Sequence, residues 1–200
     1  MGPSVLIVCT GNICRSPMAQ AVLLAGLPAG LPSASGEPIR VASAGTHALV
    51  GNPIDPDALA ALAVWGVPAP DFAATQLTAA LVQGADLLLG ATREHRAAAV
   101  TLAPARARHA YTLREFGRLA AAVDPAELPG GNPAARLTEL LTAVRARRGT
   151  LAIGPPADED IPDPYRRGGP AFDAALRLVH QALRPLTDVL TPPAPLNRVG

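Results

Sequence analysis

Lysine is missing from this chain: all 17 basic residues are arginine, a bias that fits a GC-rich genome. Charge imbalance is missing too. The 16 acidic residues leave a net charge of only +1, which removes the electrostatic case for binding nucleic acid or a membrane surface. No uninterrupted apolar stretch is long enough to span a bilayer, and Met1-Gly2-Pro3 leads straight into a strand-like run with no room for a signal peptide. A cytoplasmic protein is the expectation. Cysteine is scarce, with only Cys9 and Cys14, and their spacing suits a reducing compartment better than a structural staple. No His/Cys cluster is available to hold a metal, so neither metal nor cofactor is expected. Aromatics make up 3% of the chain, and the 49% that is hydrophobic is mostly Ala, Leu and Val, enough over 200 residues for one domain with a real core.

The chemistry concentrates in Cys9-Thr10-Gly11-Asn12-Ile13-Cys14-Arg15-Ser16-Pro17. Val5 to Val8 before it form an apolar run suited to a buried parallel strand. Ser16 can cap a following helix, and Pro17 suits its first turn. A strand-loop-helix of this kind aims backbone N–H groups and the positive end of a helix dipole at one small volume, which fits a tetrahedral oxyanion. Arg15 can clamp two phosphoryl oxygens through its planar fork. The same field favours a nucleophilic thiolate at Cys9. The Ser16 hydroxyl is placed to hydrogen-bond that thiolate and improve it as a leaving group. Asn12 tolerates left-handed backbone angles and can brace the loop through its side chain.

Strand-like runs at Val5–Val8, Ile39–Ala42, Leu87–Leu89 and His109–Thr112 alternate with helical segments. That alternation predicts an α/β three-layer sandwich with a central four-stranded parallel sheet and the phosphate loop after strand 1. Asp55 and Pro56 open a helix carrying Ala58, Leu62 and Trp65 on one face, and Thr92 opens another running toward Pro104. The last helix aligns Phe172, Leu176, Val179 and Leu183, with Pro185 expected to kink or end it. Residues 26–38 read as a Gly/Pro/Ser-rich loop, and residues 191–200 as a C-terminal tail after a single domain over 1–190. Asn132 and Pro133 start a helix with Leu137, Leu140, Leu141 and Val144 on one face. Arg145, Arg147 and Arg148 suit its negative end and Gly149 can stop it. Packing on the core is its expected role; contact with substrate or partner is the alternative.

Residues Cys9 to Pro17 resemble the signature loop of the low-molecular-weight protein tyrosine phosphatases, which work through a cysteinyl-phosphate intermediate. Ser43-Ala44-Gly45-Thr46 with Asn52-Pro53-Ile54-Asp55-Pro56 resembles the family's second segment, and Ile161-Pro162-Asp163-Pro164-Tyr165 its general-acid loop. The main departure is an inserted helical segment at about 117–157, where family members use far fewer residues. The resemblance implies a phosphotyrosine phosphatase with Cys9, Arg15 and Asp163 as catalytic residues. Thr10, Gly11, Asn12, Ile13, Cys14 and Ser16 belong to the binding loop. Asp163 is preferred over Asp158, Glu159 and Asp160 because Pro162 and Pro164 hold it in a rigid loop and because Asp-Pro-Tyr is the family's acid motif; the other three read as a solvated acidic turn. Asp163 then donates a proton to the leaving oxygen and activates water against the phospho-cysteine.

Leu49 and Tyr165 are candidates for the walls that flank a substrate phenol ring, with simple packing the alternative for each. Ser43 either braces Asn12, as in the family, or ends a strand. Cys14 either forms a reversible disulfide with Cys9, as a cysteine at this place does in the family, or is a small core-facing loop residue. Expected partners are a phosphotyrosine-containing protein, a bacterial tyrosine kinase among the candidates. Two rival activities remain: an arsenate reductase using a low-molecular-weight thiol, and a protein-arginine phosphatase, whose members carry Thr where this chain has Ile13. A non-catalytic phosphotyrosine-binding module is expected to lack Cys9, Arg15 or Asp163, and all three are present.

Overall fold

The computed structural model describes residues 2–27, 38–129, 132–150 and 155–190. Most of the loop read at 26–38 and the tail at 191–200 lie outside the described residues. Four strands, β1 (Ser4–Cys9), β2 (Arg40–Gly45), β3 (Leu87–Gly90) and β4 (Ala110–Thr112), form one parallel sheet in the order β2-β1-β3-β4. The chain moves from β1 to one side for β2, then returns past β1 for β3. The strand order therefore reverses between β1 and β3, and the C-terminal ends of those two strands flank the crevice where open α/β sheets bind ligands. Cys9 is the last residue of β1.

Among the described residues, seven α-helices complete the three layers: α1 (Arg15–Gly26), α2 (Pro56–Val64), α3 (Ala79–Gln83), α4 (Arg93–Leu102), α5 (Leu113–Ala121), α6 (Pro133–Arg147) and α7 (Gly169–Leu190). Strand side chains alternate between two cores as the pleat requires. Val5, Ile7, Leu87, Leu89 and Tyr111 face α1, α2, α5, α6 and α7, whereas Leu6, Val8, Leu88 and Ala110 face α3 and α4. Two details depart from the sequence reading. The first helix begins at Arg15 after Cys14, and Ser16 makes no capping bond because its hydroxyl is turned to Cys9. Helix α7 does not end at Pro185, one of the two outcomes expected there, but runs on to Leu190. Leu186, Val189 and Leu190 beyond the proline are buried, and their burial offsets the hydrogen bond that proline removes.

Helix α6 packs on α5 and α7. Asn132 caps it by accepting from Ala134 N at 2.9 Å. Leu137, Leu140, Leu141 and Val144 are buried as the periodicity predicts. Arg136 is buried beside them and satisfied by carbonyls, donating to Val189 O at 2.6 Å and Pro129 O at 2.7 Å. Just past its end, Arg148 lies 4.3 Å from the centre of the Tyr111 ring and donates to Ala110 O and to Glu115. Helix α6 is thus part of the core at the β4 edge. Leu137→Ala is expected to lower unfolding free energy in urea by about 2–5 kcal/mol, the cost of a large-to-small change at a closed site; a loss within 0.5 kcal/mol, the surface range, would mean the helix is not integral.

Candidate active site

Between Cys9 and Arg15 the loop carbonyls turn away from the loop's interior. Cys9 O, Thr10 O, Gly11 O and Ile13 O accept from the backbone N–H groups of Thr46, His47, Leu49 and Asp55 at 2.9, 3.0, 3.0 and 2.9 Å, and Cys14 O accepts from Met18 N at 3.1 Å. No peptide bond in the described chain is cis, and in a trans peptide the carbonyl and the following N–H point in opposite directions. The N–H groups of Thr10, Gly11, Asn12, Cys14 and Arg15 therefore face inward. Gly45 is what lets the second segment come so close: a Cβ there would lie 2.4 Å from Thr10 O.

Asn12 holds the bend. Its φ of 55° is left-handed, which costs a non-glycine residue about 1–2 kcal/mol. Its side chain offsets that cost. Nδ2 donates to Ser16 Oγ at 2.8 Å and Ser43 Oγ at 2.9 Å, and Oδ1 accepts from Thr75 N at 2.7 Å. Each serine oxygen that accepts from Asn12 has a further partner beyond it. Ser43 donates to Gln20 Oε1 at 2.7 Å, and Ser16 Oγ lies 3.0 Å from Cys9 Sγ. Of the two readings of Ser43, the bracing one describes its contacts.

Arg15 enters from the first turn of α1 and is buried. Nη1 donates to Ile161 O at 3.2 Å, and Nη2 donates to Asp163 Oδ2 at 2.7 Å and Thr10 Oγ1 at 3.3 Å. Its Nε is buried without a partner among the described residues. The loop bearing Asp163 is fixed on both sides. Ile161 is fully buried and its N–H donates to Ala91 O at 2.8 Å, while Tyr165 N donates to Asp163 Oδ1 at 3.2 Å. The acidic residues upstream are not the solvated turn expected from sequence. Glu159 is buried, accepts from Arg118 at 2.7 Å and from Thr112 Oγ1 at 3.0 Å, and Asp160 accepts from Arg93 N at 2.8 Å and its guanidinium at 3.0 Å. Burial pushes the Asp160 carboxyl up, but the hydrogen bonds from Arg93 outweigh it and hold the group below the usual carboxylate range. Only Asp158 is left exposed.

A cavity of about 200 Å³ gathers these parts, lined by Cys9, Thr10, Gly11, Ile13, Cys14, Arg15, His47, Leu49, Asp163 and Tyr165. Leu49 and Tyr165 are 43% and 40% exposed, so they are cavity walls and not core packing. Asn12, Ser16 and Ser43 stand behind the lining, in the bracing network. Cys9 and Cys14 are both free thiols and buried. Burial, with Asp55 next, pushes the Cys14 thiol up, so it stays protonated. Among the described residues no group of His, Cys, Asp or Glu is placed to hold a metal ion.

Several members of the site escaped the sequence reading. Gln20 and Thr75 carry no signal of their own. Gln76 holds segment 46–48, its Oε1 accepting from Ala48 N and its Nε2 donating to Thr46 O, both at 3.0 Å. His47 is on the cavity rim. His95 is buried at the start of α4, with Nε2 2.9 Å from Thr10 Oγ1 and Nδ1 2.7 Å from Thr92 Oγ1. The pattern Thr92-x-x-His95 after a strand, an N-cap followed by a polar residue at the third helical position, is the signal that points to it. Burial, then the positive charge of Arg15, lowers His95 to about 4.

The family model described as low molecular weight phosphotyrosine protein phosphatase matches residues 4–148. That match ends before Asp163. A relative named "Probable low molecular weight protein-tyrosine-phosphatase EpsP" from Ralstonia nicotianae is 30% identical over 180 residues, covering 90% of each chain. The solved structure of Vibrio vulnificus Wzb in complex with benzylphosphonate superposes with a TM-score of 0.62 at 27% identity, covering 92% of this chain and 96% of that one. The YwlE arginine phosphatase of Geobacillus stearothermophilus has a TM-score of 0.63 at 24% identity over 92% of this chain and 90% of its own, a likeness of fold alone.

The lowered His95 has a consequence for stability. An unfolded histidine titrates near pH 6.5, whereas the folded one stays neutral down to about 4. The unfolded state therefore binds a proton that the native state refuses, and stability falls as pH drops from about 6.5 toward the folded value. Urea unfolding of wild type against His95→Gln is expected to show that acid-side loss in wild type and a shallower slope in the variant; parallel slopes would contradict a neutral buried His95.

Proposed function

The chain belongs to the low molecular weight phosphotyrosine protein phosphatases, and from that membership we propose that it hydrolyses phosphotyrosine through a phosphate ester of Cys9, with Asp163 as general acid and base. The observation that carries this reading is the convergence of Cys9 Sγ, the inward loop amides, Arg15 and Asp163 on one small cavity. The arriving phosphoryl oxygens take the place of Asp163 at Arg15 Nη2 and engage the unpartnered Nε, giving the planar fork two oxygens to bind. Asp163, released from the arginine, faces the leaving oxygen as the general acid.

Cys9 Sγ attacks phosphorus, the S–P bond forms as the P–O(aryl) bond breaks, and Asp163 gives its proton to the departing phenolate. The loop amides from Thr10 to Arg15 and the guanidinium stabilise the three equatorial oxygens. Asp163 then takes a proton from water as the water oxygen attacks phosphorus. The S–P bond breaks, the electron pair returns to sulfur, and the Ser16 hydroxyl steadies the departing thiolate. Inorganic phosphate leaves.

Leu49 and Tyr165 flank the phenol ring. Ile13 presents an apolar side chain to the cavity, which suits an aryl ring better than a guanidinium and favours phosphotyrosine over phosphoarginine. With two cysteines in the chain, a relay through further thiols is unavailable for arsenate reduction. The partner is a protein bearing phosphotyrosine, with a bacterial tyrosine kinase among the candidates. Two free thiols suit the reducing cytoplasm. Residues 1–190 act as one domain with the segment 117–157 inserted.

Hydrolysis of aryl phosphate, phosphotyrosine peptide and phosphoarginine, alongside arsenate reduction, tests the reading. Cys9→Ser is expected to abolish turnover, and Asp163→Asn to slow it by ~100-fold or more, with the larger loss on poor leaving groups. Full activity in Cys9→Ser would overturn the mechanism, and a preference for phosphoarginine would overturn the substrate.

A further inference from the structure

Thr10 follows β1 and His95 opens the helix after β3, so the contact between them crosses the crevice where the strand order reverses. The histidine is fixed before it meets the threonine. Thr92 caps α4, its hydroxyl accepting from His95 N at 3.4 Å and lying 2.7 Å from His95 Nδ1. Gly90, just before this turn, would place a Cβ 2.7 Å from Arg96 N, so the start of α4 sits tightly against the end of β3. The imidazole is therefore a buried, rigidly mounted group whose free nitrogen, Nε2, reaches the Thr10 hydroxyl at 2.9 Å.

Thr10 Oγ1 in turn accepts from Arg15 Nη2 at 3.3 Å. Among the described residues Arg15 donates to three groups: Asp163 Oδ2, Ile161 O and Thr10 Oγ1. In the proposed reaction the phosphoryl group displaces the first. Among the described residues, the Ile161 carbonyl and the Thr10 hydroxyl then hold the guanidinium from the protein side. A threonine hydroxyl rotates freely unless something fixes it, and His95 is the group that does.

We propose that His95 is a positioning residue: through the Thr10 hydroxyl it aligns the Arg15 guanidinium with the oxyanion site, coupling the loop after β3 to phosphate binding. This rests on the phosphatase reading for its catalytic consequence, but its geometric content is oxyanion affinity, which can be measured without turnover. The alternative is that His95 merely completes the cap of α4. The two roles use different ring nitrogens, and the amide side chains separate them. Asparagine reaches about as far as Nδ1, so His95→Asn keeps the Thr92 contact and loses Thr10. Glutamine reaches about as far as Nε2, so His95→Gln keeps Thr10.

The experiment measures thermal stability, kcat and KM for an aryl phosphate, and the Kd of inorganic phosphate by calorimetry. Wild type, His95→Asn, His95→Gln, Thr10→Val and the double variant His95→Asn/Thr10→Val are compared. The expected result is a loss of about 10-fold or more in kcat/KM and a weaker phosphate Kd for His95→Asn, since small misplacements near the chemistry are that costly. Thr10→Val should reproduce the loss, the double variant should lose no more than either single one, and His95→Gln should recover most of it. The reverse order, with Asn near wild type and Gln impaired in step with its loss of stability, would overturn the proposal. So would additive losses in the double variant. If wild type hydrolyses no aryl ester, the phosphatase reading fails, and the phosphate Kd series alone still decides the role of His95.

Discussion

The outward turn of the loop carbonyls between Cys9 and Cys14 is the constraint from which the rest of the site follows, because a planar trans peptide that sends its carbonyl one way must send its N–H the other. The donors that hold those carbonyls come from residues 46–55, after β2, and from Met18 in α1. Oxyanion binding is thus a property of two neighbouring strand ends. Gly45 permits their approach, and Asn12 supplies the left-handed bend, its cost offset by three side-chain hydrogen bonds. The serines that Asn12 engages carry the same network to Cys9 Sγ on one side and to α1 at Gln20 on the other.

The second half of the site is mounted from the opposite side of the crevice. The acid loop is fastened by Ile161 to Ala91 after β3, by Asp160 to Arg93 at the start of α4, and by Glu159 to Arg118 and Thr112 on α5 and β4. Cradle and acid meet at Arg15, whose guanidinium touches Asp163, the Ile161 carbonyl and Thr10 together. Arg15 is therefore the joint between two separately braced loops. Helix α6 extends the core at the β4 edge, and Arg148 just past its end donates to Ala110 O and Glu115, away from the cavity lining.

The parts of this arrangement that were legible in the sequence are those encoded locally. Apolar runs marked the four strands, Asp55, Thr92 and Asn132 marked helix starts with side-chain caps, and the periodicity of Leu137, Leu140, Leu141 and Val144 marked the buried face of α6. Cys9 and Arg15 stood out by the loop pattern and Asp163 by its flanking prolines and the resemblance of its segment, and the three line one cavity. What was hidden depends on long-range pairing. Nothing local to Asp160 or Glu159 reveals that Arg93 and Arg118 will meet them, so an acidic run looks solvated until the sheet closes. Ser16 looked like a cap because Ser-Pro at a helix start usually is one, and the demand of Cys9 and Asn12 on its hydroxyl won. His95 was passed over because the Thr92-x-x-His95 spacing reads locally as no more than a helix start, and its partner at the site, Thr10, is 85 residues away in sequence.

The central claim is that Cys9 carries the phosphoryl group covalently during turnover, and trapping that species tests it most directly. An aryl phosphate is mixed with the wild-type enzyme, the reaction is quenched within the first turnover, and the phosphorylated peptide is mapped by mass spectrometry. The account predicts phosphate on the peptide containing Cys9, bound to sulfur, formed together with a burst of phenol close to one per enzyme molecule. Phosphate on any other residue, or a burst-free release of phenol with Cys9 unmodified at every time point, would contradict it.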